Sequence, residues 1–191
     1  MGFDWNKGFT IDFDLGTGLS SGVESLKRKV SNMKGMFLDS EAERKLIEGG
    51  DPLMYEFHEI GAPDDGGDVA AGTSIVYPGK VGGEYYMTAG HFHTILDTAE
   101  VYYCIGGKGF MLVESKDGDT HAYPIKAGEM VYVPKGYAHR SINTGDSPLI
   151  TFFAFRADAG HDYGTIKEKG FRKLIVEKDG KPEIIDNPRW K

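Results

Sequence analysis

Two histidines stand one residue apart in the string Gly90-His91-Phe92-His93. On an extended strand alternate side chains share a face, so the two imidazoles project together, a short reach apart. Glu100 follows seven residues after His93, at the head of an apolar run, with Tyr102 on the same strand face. His139 comes after the turn Pro134-Lys135-Gly136. Three neutral imidazoles and one carboxylate form a mixed nitrogen and oxygen set, which suits a borderline divalent ion such as Fe, Mn, Ni or Zn. Four protein ligands leave positions open on a metal that prefers six, so substrate oxygens can bind there directly. His91, His93, His139 and His161 are the histidines that call for a chemical reason. His58 and His121 read as ordinary hydrogen-bonded residues.

Such a set works only if the fold gathers distant residues, and the pattern around it is one of short strands. β-rich runs cover residues 54–60, 73–77, 84–93, 101–105, 109–115, 121–124, 130–133 and 149–155. Turn signals separate them, among them Asp64-Asp65-Gly66-Gly67, Pro78-Gly79 and Lys116-Asp117-Gly118-Asp119. Many short strands at short spacing predict a mainly β chain, an antiparallel sandwich or barrel. Residues 61–72, polar and glycine-rich, predict a loop. Upstream, Ser40-Glu41-Ala42-Glu43 reads as a capping box opening a helix that Gly49-Gly50-Asp51-Pro52 ends. A second short helix is expected around 22–32. Downstream, Leu174-Ile175-Val176, Asp179-Gly180 and Glu183-Ile184-Ile185 predict a terminal hairpin, which must pack on the body or on a second subunit. The chain is therefore read as one domain over 1–191, with an N-terminal extension (1–53), a core (about 54–157) and a C-terminal hairpin (171–191). Tyr132, Phe110, Phe152 and Phe153 alternate with apolar residues and read as core. Gly106-Gly107-Lys108-Gly109 opens no helix, so it reads as a hairpin turn and not as a phosphate cradle.

Composition narrows the function. The 191 residues carry 22 basic and 29 acidic side chains, a net charge of -7, with no long basic run, which argues against a nucleic-acid groove. With 40% hydrophobic and 27% charged residues the chain reads as globular, not disordered. No apolar run approaches the roughly 20 residues of a membrane span. The start, Met1-Gly2-Phe3-Asp4-Trp5, lacks a secretory pattern, and Asn6 disfavours myristoylation. Cys104 is the one cysteine, so no intrachain disulfide forms, which fits a reducing compartment. A cytoplasmic protein is expected, with neither nucleic acid nor membrane as partner.

The spacing Gly128-x5-Pro134-x-Gly136-x2-His139-x3-Asn143 matches the second cupin motif at every position. His91-x-His93, Glu100 and Gly107 resemble the first, with two departures. Six residues separate His93 from Glu100, and Tyr85 stands where a glycine is usual. That longer gap, in Thr88-Ala89-Gly90-His91-Phe92-His93…Glu100-Val101-Tyr102, resembles the cupin-type phosphoglucose isomerases of archaea. So do Val76-Tyr77-Pro78-Gly79-Lys80-Val81-Gly82, residues 157–166 and the terminal Asp186-Asn187-Pro188-Arg189-Trp190. The resemblance runs from about residue 25 to the end.

The resemblance implies a cupin-type antiparallel barrel (a double-stranded β-helix or jelly roll) with short N-terminal helices and extra terminal strands. It implies interconversion of glucose 6-phosphate and fructose 6-phosphate in glycolysis and gluconeogenesis. It places one divalent metal per subunit, Fe2+ first and Mn2+, Ni2+ or Zn2+ as alternatives, on His91, His93, Glu100 and His139. Such an isomerisation moves hydrogen between C1 and C2 of the open-chain sugar while the metal stabilises charge on O1 and O2. In a proton-transfer route Glu100 is the base, working through a cis-enediol. In a hydride-shift route Glu100 is a ligand only. Tyr102 could bond a sugar oxygen, so Glu100, Tyr102 and His139 are the catalytic candidates. By the same resemblance the phosphate falls to Tyr55, Ser74, Thr88, Gly90, His161 and Tyr163. Ser74 replaces a threonine, keeping its hydroxyl, and Phe155 replaces a tyrosine, losing one that neighbouring Arg156 could replace. A homodimer is implied as well. Two competing functions use related sites. A metal-dependent cupin dioxygenase or oxidase would need no phosphate site, and a non-catalytic sugar-binding cupin would often lose metal ligands. The strings at 76–82 and 157–166 and the intact ligand set favour the isomerase.

Overall fold

The computed structural model describes residues 3–61, 63 and 66–190. The residues Asp64 and Asp65 of one expected turn, Met1-Gly2 and the terminal Lys191 lie outside the described residues. Among the described residues thirteen strands and two short helices make a mainly β protein with antiparallel sheets. In chain order these are β1 (Ser25–Lys29), α1 (Ser40–Glu48), β2 (Leu53–Ile60), β3 (Val69–Val76), β4 (Lys80–Val81), β5 (Glu84–Tyr85), β6 (Glu100–Gly106) and β7 (Lys108–Ser115). Then come β8 (Thr120–Lys126), β9 (Met130–Val133), β10 (Tyr137–Asn143), β11 (Leu149–Arg156), α2 (Gly164–Lys169), β12 (Lys173–Lys178) and β13 (Lys181–Asp186).

One wall has six strands in the order β1-β2-β3-β11-β6-β9. The facing wall is built from β10-β7-β8 and β13-β12-β5-β4. The stretch 86–93 joins these two pieces, through isolated bridges from Met87 to Ile142 and from His91 to His139. Apolar residues of both walls, among them Met54, Val76, Met111, Leu112 and Leu149, fill one core. Asn143, fully buried, ties the walls together. Its Nδ2 donates to the Val76 and Ser147 carbonyls at 2.7 and 2.9 Å, and its Oδ1 accepts from Gly145 N–H at 2.8 Å. The terminal hairpin forms as expected, turning at Asp179 and Gly180, both at positive φ, and β12 joins β5. The N-terminal stretch lies on the outer face of the first wall. Thr73 Oγ1 donates to Gly18 O at 2.5 Å, and the Phe13 ring meets Phe152 at 6.4 Å.

Several expectations are corrected, each for a tertiary reason. Residues 22–32 form no helix. The spacing of Val23, Leu26, Val30 and Met33 is helical, but the edge of β2 captures 25–29 as β1, and only Val30–Met33 curl into a 3-10 turn. Helix α1 is capped by Asp39, not Ser40; its Oδ1 accepts from Ala42 N–H at 2.8 Å. Glu43 turns inward instead and accepts from Gly35 N–H at 2.8 Å. The expected loop ends early, because β3 starts at Val69 and pairs with β11. Run 84–93 is one strand for two residues only, broken beyond by Gly90 at φ +73°. Strand β10, absent from the expected runs, supplies His139. The turn at Gly107 is a corner between walls and not a hairpin, since β6 pairs with β11 and β9 while β7 pairs with β10 and β8. A Cβ there would overlap the Pro148 carbonyl, and φ is +78°. Tyr132 is exposed, because β9 is an edge strand that buries only Val131 and Val133; Phe110 and Phe152 are half-buried, and only Phe153 is core.

Candidate metal centre

Glu100 opens β6 on one wall, and His139 sits in β10 on the other. His91 pairs backbone to backbone with His139 at 3.3 and 3.1 Å, and His93 lies one strand repeat further on. The donor atoms of His91, His93, Glu100 and His139 all fall within 4.8 Å of one another. His93 Nε2 and His139 Nε2 stand 3.0 and 2.9 Å from Glu100 Oε2.

The surroundings orient His93 and act on Glu100 and His91. Thr98 Oγ1 donates to Ile95 O at 2.6 Å, so it accepts from His93 Nδ1 at 2.7 Å. That places the proton on Nδ1 and turns the Nε2 lone pair toward a carboxylate. The six-residue gap between His93 and Glu100 is the loop that returns Thr98 to this position. Burial alone would push Glu100 toward its neutral form, but the imidazoles, His139 foremost, hold its carboxyl well below the usual carboxylate range. Burial, helped by His139, lowers His91 well below the ordinary imidazole value. Neutral imidazoles and an ionised carboxylate are the forms a metal requires. Among the described residues His91 Nε2 and His139 Nδ1 have no hydrogen-bond partner, and His139 Nε2 approaches only Glu100, at 2.9 Å. Unpartnered buried nitrogens converging with an ionised carboxylate make a donor set that fits a divalent ion.

Beside the cluster opens a narrow cleft of about 50 Å³. It is lined by His91, Glu100, Tyr102 and His139 together with Tyr55, Ser74, Thr88, Gly90, His161 and Tyr163. Their positions follow from strand alternation. Tyr55 is on β2, Ser74 on β3, and Thr88 and Gly90 lie on the stretch before His91. Tyr102 is buried with its ring 5.5 Å from His139; burial, then the Glu100 carboxylate, pushes its phenol well up. His161 and Tyr163 stack at 12°, and His161 lies 4.5 Å from His91. Burial lowers His161 and pushes the Tyr163 phenol up to about 12. Glu59 and Ser141 also line the cleft. They were missed, although alternation from Tyr55 and from His139 would have found them. Phe153 and Phe155 form its apolar side. Arg156 does not line the cleft; it pairs with Asp158 at 2.5 Å on the opposite face of β11.

Facing antiparallel walls with a buried His3Glu cluster between them define a metal-site β-barrel of the cupin class. The chain belongs to the cupin-type glucose-6-phosphate isomerase family, whose sequence model matches residues 27–191. It is 46% identical to the glucose-6-phosphate isomerase of Thermococcus litoralis over 183 residues, covering 96% of each chain. It is 47% identical to that of Pyrococcus horikoshii over 184 residues, again 96% of each. The Sinorhizobium medicae glucose-6-phosphate isomerase is 35% identical over 182 residues, 93% of this chain and 85% of that one. Among solved structures, Bacillus subtilis oxalate decarboxylase aligns with a TM-score of 0.43 and 27% identity, over 56% of this chain and 26% of that chain. Among the described residues no helix is long and apolar enough to cross a membrane.

Proposed function

We propose that this chain interconverts glucose 6-phosphate and fructose 6-phosphate as a metal-dependent aldose–ketose isomerase. One observation carries the reading: the His3Glu cluster and a set of hydroxyl and imidazole donors share one cleft. A divalent ion held by His91, His93, Glu100 and His139, Fe2+ first and Mn2+, Ni2+ or Zn2+ as alternatives, supplies Lewis acidity for the O1 and O2 oxygens of the sugar.

The chain's own groups do the rest. In a proton-transfer route Glu100, kept ionised with His139 2.9 Å away, carries the proton between C2 and C1; in a hydride-shift route it serves as a ligand alone. Tyr102 keeps its proton and donates to a sugar oxygen. At the other end Tyr55, Ser74, Thr88, Gly90, His161 and Tyr163 hold the phosphate through neutral hydroxyl, imidazole and backbone donors. Phe153 and Phe155 exclude water along one side of the sugar. The working form is a homodimer in the cytoplasm, where hexose phosphates are found.

Conversion of fructose 6-phosphate should fall on chelation and return when Fe, Mn, Ni or Zn is added back singly. Turnover untouched by complete metal removal would demote the ion to structure. Absence of turnover with every metal would sink the isomerase itself.

A further inference from the structure

We propose that Arg140 is a positioning residue that serves the phosphate end of the cleft from behind, through the Ala89–Gly90 peptide, and so sets the preference for a dianionic substrate. This rests on reading Ser74, Thr88 and Gly90 as phosphate contacts.

Arg140 follows His139 on β10, so its side chain leaves the opposite face of the strand. It is 2% exposed, and its guanidinium lies 4.7 Å over the Phe171 ring. Among the described residues it meets one acceptor: Nη2 donates to the Ala89 carbonyl at 2.5 Å. Its buried Nε has no partner. The buried carboxylates of Glu84 and Glu114 offset part of the cost of burying this cation, and the Ala89 carbonyl is where its hydrogen bond is directed.

The backbone gives that hydrogen bond its use. Met87 faces Ile142 and His91 faces His139, so the register slips by one residue between the two bridges. Thr88 N–H reaches Ser141 O at 2.9 Å, and His91 N–H reaches His139 O at 3.3 Å. Ala89 and Gly90 therefore stand together opposite the one residue Arg140, which is a β-bulge. The peptide joining them is trans, so its carbonyl and its N–H point in opposite directions. The carbonyl is held by Arg140. The Gly90 N–H turns toward the cleft that Gly90 lines, with no hydrogen-bond partner among the described residues.

A guanidinium on the carbonyl oxygen withdraws electron density from the peptide and makes its N–H a stronger donor. It also places a full positive charge one peptide behind the anion, in an interior where screening is weak. Tyr55, Ser74, Thr88 and Tyr163 supply only neutral hydroxyls, and the chain carries a net charge of -7. Arg28 stands beside Tyr55 and Tyr163 at the outer rim, and Arg140 adds a second positive charge from behind without entering the cleft.

The test is steady-state kinetics on the metal-loaded enzyme, with the inhibition constant of inorganic phosphate measured alongside. Arg140→Met should raise both the KM for fructose 6-phosphate and the phosphate inhibition constant about tenfold, the size of one charge-assisted hydrogen bond. Metal content should not change, and kcat should stay within about threefold. Arg140→Lys, which keeps the charge, should recover most of the loss. If Arg140→Met does not fold, Arg140→Gln keeps a donor to Ala89 O without charge and should show the same rise. A folded, uncharged variant with both constants within about twofold of wild type overturns the proposal. So does loss of metal and kcat with phosphate binding intact, the mark of a prop for His139. Ser74→Ala separates the two layers. An unchanged KM there fails the phosphate reading itself; a raised KM there, with no effect at Arg140, overturns the Arg140 proposal alone.

Discussion

The two ends of the cleft are built by different means. At the proposed metal end, charged and titratable side chains meet from both walls: Thr98 orients His93, and the His93 and His139 nitrogens lie 3.0 and 2.9 Å from Glu100. Three of the four ligands are 4% exposed or less. At the end proposed to hold the phosphate, the polar groups are hydroxyls and a bulged backbone, and Tyr163 at the rim is 43% exposed. A metal needs fixed lone pairs at short range, which buried side chains on paired strands supply. A phosphate that must enter and leave is served by several weaker donors, some of them at the rim. Damage to the first end should therefore be all-or-none, and damage to the second should be graded.

The largest expected effect is His93→Ala. Three ligands remain, and a buried carboxylate loses a partner. Activity should fall about a thousandfold or more, with most bound metal gone. Metal analysis and circular dichroism on the same sample check this, and undiminished turnover in a metal-free variant would remove His93 from the ligand set.

Thr98→Val comes next, and it sharpens the contrast because Thr98 holds a ligand without being one. The hydroxyl that orients the His93 imidazole is lost while the shape is kept. Metal affinity should drop by about 10–100-fold, with kcat near wild type once metal is saturating. A competition titration against a chromophoric chelator measures it. An unchanged affinity would mean that the Thr98 backbone carbonyl, 3.3 Å from Nδ1, suffices to hold the ring.

The same contrast governs what the sequence made legible. The metal end was readable because its chemistry lies in residue types: His91, His93, Glu100 and His139 announce themselves by spacing. The strands carrying Glu100 and Tyr55 follow from alternation. The phosphate end was harder, because its key feature is conformational. Nothing in Thr88-Ala89-Gly90 declares a one-residue register slip; that slip is forced by where β10 must pair, and β10 itself was not foreseen. Val23 to Met33 misled for a related reason, since local helical spacing yielded to an open sheet edge. Glu59 and Ser141 follow from the period-two argument, counted from Tyr55 and from His139, but neither stands in a motif with a chemical signature. Arg140 is legible only with coordinates, because its role lies in pointing away from the site.

The smallest effect should come from Tyr163→Phe, where the contrast is easiest to break. Its phenol, pushed up to about 12 mainly by burial, stays protonated through the working range. Only a neutral hydrogen bond is at stake, and the rim position lets water replace part of it. The loss is therefore about 1 kcal/mol, or roughly fivefold in KM, with kcat unchanged. Full kinetics on both sugar phosphates give the split. A fall in kcat at constant KM would place the hydroxyl beside the reacting carbons instead, which the 5.2 Å separation of the Tyr163 and His91 rings makes a meaningful alternative. In that case the rim and the metal end would act as one unit, and the graded behaviour expected of the phosphate end would have to be sought at Ser74 and Thr88 alone.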